Sequence, residues 1–205
     1  MRMDHHDQRG FTLTELMLVI AIGLIIAGMA LGGVPAMLKT SKADGSLAEL
    51  ATAVRYARES AISNRRNVQV TFGTNTITIT RVGYCPSTCT TGTASTMPGC
   101  TSTCGVNTTT LKTVTLEGRA TFQTLSGLPD TPDAFGNSTA TALGSNTPAA
   151  FTTDGSFINS NGDILNGSLF IAVTGDRTSA RAVTIFGATG ALHLWRWDGR
   201  AWVEV

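Results

Sequence analysis

Charge is scarce in this chain. Asp, Glu, Lys and Arg make up 14% of its 205 residues, and the formal net charge is +1. That balance offers no bulk attraction toward nucleic acid or an acidic membrane surface, so any such partner has to be met by a local patch. Intrinsic disorder is excluded as well. It needs low hydrophobicity with high net charge, whereas 42% of these residues are hydrophobic. Histidine occurs three times, and His5 and His6 both fall in the polar first ten residues. His193 lies alone in a run that reads as a strand, which is a structural setting more often than a catalytic one. No GxSxG, HExxH or phosphate-cradling glycine loop is present. The expectation is therefore no enzyme, no cofactor and no metal. Asn159-Ser160-Asn161-Gly162-Asp163 faintly resembles a calcium loop but lacks the Glu at EF-hand spacing, so a turn is expected there. Aromatics are few until Trp195, Trp197 and Trp202 arrive within eight positions.

Apolar residues are concentrated at the start. After the polar stretch 1–10 and Glu15, 23 uncharged residues run to Lys39. About 20 apolar residues span a bilayer core as helix, so 11–38 reads as a membrane segment. A cleaved secretory signal fits less well, because its apolar region is about 7–15 residues and closes with an A-x-A-like site. Glu15 is the anomaly. A charge at mid-membrane costs about 2.5–3.5 kcal/mol, less toward the ends, and such groups usually have a partner. Its ordinary explanation is a favourable position near a helix N-terminus. Gly28, Gly32, Gly33 and Pro35 weaken the second half of the segment, so a bend or local melting is expected there.

The string Arg9-Gly10-Phe11-Thr12-Leu13-Thr14-Glu15 resembles the processing site of type IV prepilins and type II secretion pseudopilins. Thr14 departs from the branched aliphatic residue usual in that family. The resemblance implies cleavage between Gly10 and Phe11 by a prepilin peptidase and N-methylation of Phe11. It also implies pairing of Glu15 with the Phe11 ammonium of a neighbouring subunit. Opposite charges attract strongly in low dielectric, and either alone is badly desolvated. Lys39 and Lys42 nearly balance Arg2 and Arg9 across the span. The resemblance, not the charge rule, thus places the leader in the cytoplasm and the head in the periplasm of a single-pass inner-membrane protein.

Beyond the span, Leu47, Leu50, Val54, Ala57 and Ala61 recur at i, i+3, i+7, i+10, i+14, one stripe of an amphipathic helix over 39–64. Arg55, Arg58 and Glu59 lie off the stripe, and Arg65 and Arg66 close the helix. Alternating β-branched runs predict strands at 67–72 and 76–82, joined through Gly73-Thr74-Asn75, and at 111–116, 149–153, 169–174 and 181–186. A last hairpin joins 191–197 to 200–205 through a two-residue Asp198-Gly199 turn. The expected fold class is α+β, a long N-terminal helix packed on an antiparallel β-sheet head built as a meander of hairpins. The stretch 47–72 and the later Phe151–Asn159 segment FTTDGSFIN resemble the GspH/FimT branch of minor pilins and pseudopilins. That resemblance implies a subunit of a type IV pilus or type II secretion pseudopilus, in priming or at the tip, whose partners are other pilins or pseudopilins. The layout follows as leader 1–10, assembly helix 11–38 and head 39–205, with a Cys/Thr-rich loop at 83–110.

Cys85, Cys89, Cys100 and Cys104 form C-x3-C-x10-C-x3-C. Zinc ribbons favour C-x2-C pairs, and an oxidising compartment favours disulfides. Three connectivities are open; the nested pairs Cys85–Cys104 and Cys89–Cys100 would staple the loop like a hairpin. Some members of the same branch resemble DNA receptors and carry a Gly-Arg-x-Arg element. Here Gly190-Ala191-Leu192-His193 stands in that place without either arginine. The alternative function, a DNA-binding pilin, rests on Arg196 and Arg200 beside the tryptophans.

Overall fold

The computed structural model describes residues 12–31, 34–83, 108–143 and 148–205. These fall into two units, 1–38 and 39–205. The first contains α1 (Leu13–Leu31). Gly32 and Gly33 lie between α1 and α2 (Val34–Asn64), outside the described residues. Pro35 falls in the first turn of α2, where a missing N–H costs nothing.

From Lys39 onward α2 is the spine of the second unit. Leu47, Leu50, Val54, Ala57 and Ala61 are all buried, as their spacing requires. The helix ends where Arg65 adopts a left-handed φ of 50°. Arg65 N–H donates to Ile62 O at 3.3 Å and Arg66 N–H to Ala61 O at 3.2 Å, the paired bonds of a Schellman stop.

The strands do not form one meander. They make two antiparallel sheets that share a core with α2. The first contains β1 (Val68–Phe72), β2 (Thr76–Val82), β3 (Thr108–Thr115), β6 (Ala149–Phe151) and β7 (Phe157–Ile158) in the order β3-β2-β1-β6-β7. The second runs β11 (Trp202–Glu204), β10 (Ala191–Trp197), β9 (Asp176–Phe186), β8 (Gly167–Val173), β4 (Thr121–Phe122), with β5 (Thr141–Ala142) beside β4 on β8. The loop expected over 83–110 ends earlier, because Thr108, Thr109 and Thr110 pair with Val82, Arg81 and Thr80.

Two apolar layers result. The helix stripe packs with Val68, Val70, Ile77, Ile79 and Phe151 of one sheet and with Leu169, Ile171, Val183 and Ile185 of the other. On the opposite face of the second sheet, Trp195, Trp197 and Trp202 cluster with Phe170, Ala172, Ala180 and Ala182. Leu125 and Leu128, from a strap of chain over 123–137, cover that cluster. Burying one large aromatic removes about 150–250 Å² from water, an upper bound of roughly 4–6 kcal/mol each.

The tryptophans also explain a departure at the last hairpin. Its loop is four residues, 198–201, and not the two expected, because Trp197 pairs with Trp202. That register puts both indoles on one buried face, edge to face at 5.5 Å. A two-residue turn would have set Trp197 opposite the exposed Arg200. Asp198 N–H donates to Ala201 O at 3.1 Å, and Gly199 supplies the φ of 102° that the loop needs.

Candidate functional site

Of the expected assembly segment, 11–38, the first described residue is Thr12, which caps α1. Thr12 O accepts from the N–H groups of Glu15 at 3.1 Å and Leu16 at 3.2 Å. Its Oγ1 also accepts from Glu15 N–H at 3.3 Å. Thr12-x-x-Glu15 has the spacing of a capping box, and the Glu15 carboxylate sits in the first turn, where the helix dipole favours it. It is exposed and has no cationic partner among the described residues. Thr14 Oγ1 lies 3.1 Å from Thr12 Oγ1, so the hydroxyl at the family's aliphatic position joins the cap.

Every described side chain of α1 is exposed, including Leu16 at 56%, Ile20 at 54% and Ile26 at 64%. The helix is apolar all round, a composition that belongs in a membrane or a protein core. Its 19 residues measure about 28 Å at 1.5 Å per residue. Among the described residues no helix is long and apolar enough to cross a membrane. Those residues include α1 side chains only as far as Gly28, whereas the uncharged run of sequence continues to Leu38. Gly10 and Phe11 lie outside the described residues, as do Cys85, Cys89, Cys100 and Cys104.

The C-terminal candidates do not converge on one surface. Trp195, Trp197 and Trp202 are buried, and two of the indoles are committed to hydrogen bonds. Trp195 Nε1 donates to Thr184 Oγ1 at 3.0 Å and Trp202 Nε1 to Pro129 O at 2.9 Å. No indole face is open for a base to stack on. Arg200 is exposed in the hairpin loop, while Arg196 is half buried and alternates onto the opposite, α2-facing side with Leu192 and Leu194. Asp198 sits between them, and its carboxyl is held below the ordinary range by the N–H groups of Ala201 and Arg200. Gly190, at φ 63°, is confined by packing. A Cβ there would meet Gly155 O at 2.3 Å.

That contact belongs to a second clasp, the Asp-Gly turn of FTTDGSFIN. The Asp154 carboxylate accepts from the Thr152 hydroxyl and from Ser156 Oγ and N–H, which lowers its pKa to about 2. Arg58 Nε donates to Gly155 O at 3.2 Å, tying the turn to α2. The 159–163 segment is a turn, as expected. Asn159 Oδ1 accepts from Asn161 and Asp163 N–H, and no group of three metal-binding side chains occurs among the described residues.

Two polar constellations had no counterpart in the sequence reading. Arg181 in β9 is fully buried, with Nε 2.8 Å from Asp44 of α2 and Nη1 donating to Thr178 O and Ala180 O. An arginine at the start of the largely apolar 180–186 half of the strand was the available signal, since buried charges need partners. The other is the chain Trp195–Thr184–Asp133–His193, in which His193 Nδ1 lies 3.2 Å from Asp133 Oδ2.

Comparison with known proteins locates one motif. Residues 5–31 match the prokaryotic N-terminal methylation motif. The N-terminal segment is thus that of a type IV pilin- or pseudopilin-like chain. No curated protein and no solved structure matches the chain.

Proposed function

We propose that this chain is a minor pilin or pseudopilin of the GspH/FimT branch, a structural subunit of a type IV pilus or type II secretion pseudopilus. The methylation motif over 5–31 carries the reading. The exposed apolar surface of α1 and the unpartnered Glu15 support it. A prepilin peptidase cleaves between Gly10 and Phe11, and Phe11 is N-methylated. Residues 11–38 hold the precursor in the inner membrane and afterwards join the filament core. There each Glu15 carboxylate meets the Phe11 ammonium of a neighbour, so two desolvation costs are offset by one attraction. The head, 39–205, stands in the periplasm, where Cys85, Cys89, Cys100 and Cys104 form disulfides.

Mass spectrometry of the protein extracted from membranes of peptidase-positive cells tests this directly. Methyl-Phe11 is the expected N-terminus. A chain still beginning at Met1 in those cells overturns the assignment.

A further inference from the structure

Apart from Gln123 at its start, whose N–H donates to Phe170 O at 3.1 Å and whose Nε2 donates to Ala172 O at 2.8 Å, the strap over 123–137 is fastened to the outer face of the second sheet at three places. Arg177 Nη2 donates to Gly127 O at 2.6 Å and Trp202 Nε1 to Pro129 O at 2.9 Å. Both bonds end on strap carbonyls, which do not titrate. The third fastening is different, because it ends on the strap's own carboxylate. Asp133 accepts from the Thr184 hydroxyl and lies 3.2 Å from His193 Nδ1. Thr184 is fully buried and is held in turn by Trp195 Nε1. The Asp133 side chain is 13% exposed and that of His193 39%, so the imidazole exchanges protons with solvent while the carboxylate is largely covered.

The geometry of the His193 contact sets how it works. Nδ1 is within ion-pair distance of Oδ2 but is not placed for a directed hydrogen bond to it. A contact out of hydrogen-bond alignment gains little from a neutral imidazole. With an imidazolium it gains a Coulomb attraction, partly screened because the His193 side chain is 39% exposed. The other faces of the ring are apolar: Phe186 lies 4.7 Å away and Trp195 6.0 Å, centroid to centroid. Phe135 of the strap stacks edge-on against Phe186 at 5.0 Å, placing the aromatic seat of the strap beside the same histidine. Two further charges are near. Asp130 is tied up within the strap by the N–H groups of Thr131 and Gly136, and exposed Glu204 lies on β11 opposite Trp195.

We propose that Asp133 and His193 form a pH-responsive latch, which tightens the strap onto the sheet when the imidazole is protonated and loosens it when neutral. Among side chains it is imidazole that ordinarily changes charge between pH 5 and 8, the interval over which the latch is probed. The strap roofs a cavity of about 350 Å³ whose lining includes Leu125, Leu128, Asn137, Phe170, Ala180 and Trp202. The hollow exists because Ala172 and Ala180 are small where neighbouring floor positions carry aromatic rings.

Hydrogen exchange on the full chain in detergent micelles tests the latch, with rates corrected for the intrinsic pH dependence of exchange. The reporters are the amides of Ala134, which donates to Thr131 O, and Gly136, which donates to Asp130. Amides of β8 serve as the reference. In the wild type the strap amides should exchange about three- to fivefold more slowly at pH 5.5 than at pH 8, the scale of a partly screened ion pair. His193→Gln should exchange at the faster rate at both pH values, and Asp133→Asn should likewise lose the pH difference. Equal wild-type protection at the two pH values overturns the latch. So does a pH difference that persists in either variant.

Discussion

The two units treat a carboxylate in opposite ways. In the second, acidic groups are bound into the structure: Asp44 meets the buried Arg181, Asp154 gathers three donors at its turn, and Asp130 holds two strap amides. In α1, Glu15 is capped through its backbone while its carboxylate meets no cation among the described residues, on a helix whose described apolar side chains are all exposed. Those three head carboxylates find their donors within the chain. Under the proposed assembly, the apolar surface and the one charge of α1 are met by neighbouring subunits. The same physical rule, that a desolvated charge needs a partner, applies to both regions.

Three carboxylates test that contrast. The largest effect is expected at Glu15. Glu15→Leu should lower incorporation into filaments on the order of a hundredfold, the scale of losing one member of a buried pair. The urea midpoint of the head should not move. Co-purification of the variant with filaments measures the first and chemical denaturation the second; a destabilised head would break the separation of roles. Next comes Asp44→Ala, which leaves the fully buried Arg181 guanidinium without its anion. Asp44 is itself 42% exposed, so solvent screens part of the loss and about 2 kcal/mol is expected, not the 3–5 of a fully buried pair. Assembly through α1 should survive. The smallest effect belongs to Asp154. Its folded pKa, about 2, lies below the ordinary 3.8, so its contribution is present above pH 3.8 and disappears as pH falls through 2. Asp154→Asn should therefore cost less than about 1 kcal/mol near neutrality, given the exposure of the group, and nothing below pH 2. Denaturation midpoints of both proteins across that interval would show it.

Sequence legibility followed the range of the interactions. The α2 stripe was readable because one face of a helix repeats every three to four residues, and each residue of that stripe is buried. The hairpins β1–β2 and β10–β11 showed in the alternation of their β-branched and aromatic residues. In contrast, β4, β5 and β7 are two residues each, too short to display any period. The division into two sheets depends on β6 pairing with β1 across some eighty residues, which no local pattern encodes. At the last hairpin, Asp-Gly correctly marked a turn, but burial of Trp197 against Trp202 overrode the loop length that the dipeptide alone favours. The strap was silent in sequence because its order comes from distant partners such as Thr184, Arg177 and Trp202. Glu15 was legible for the opposite reason, since a lone charge before an apolar run needs no structure to be conspicuous.

The junction between β2 and β3 bears on how this protein can change. Val82 and Thr108 are register partners, so everything from 83 to 107 is threaded between two backbone positions already fixed side by side. With its ends pinned, a loop pays only a logarithmic penalty for growth, roughly 0.6 kcal/mol per doubling of length. Lengthening the connection at that junction costs the β2–β3 pairing little, so this hairpin is where a lineage could vary, or an engineer graft, a segment of chain.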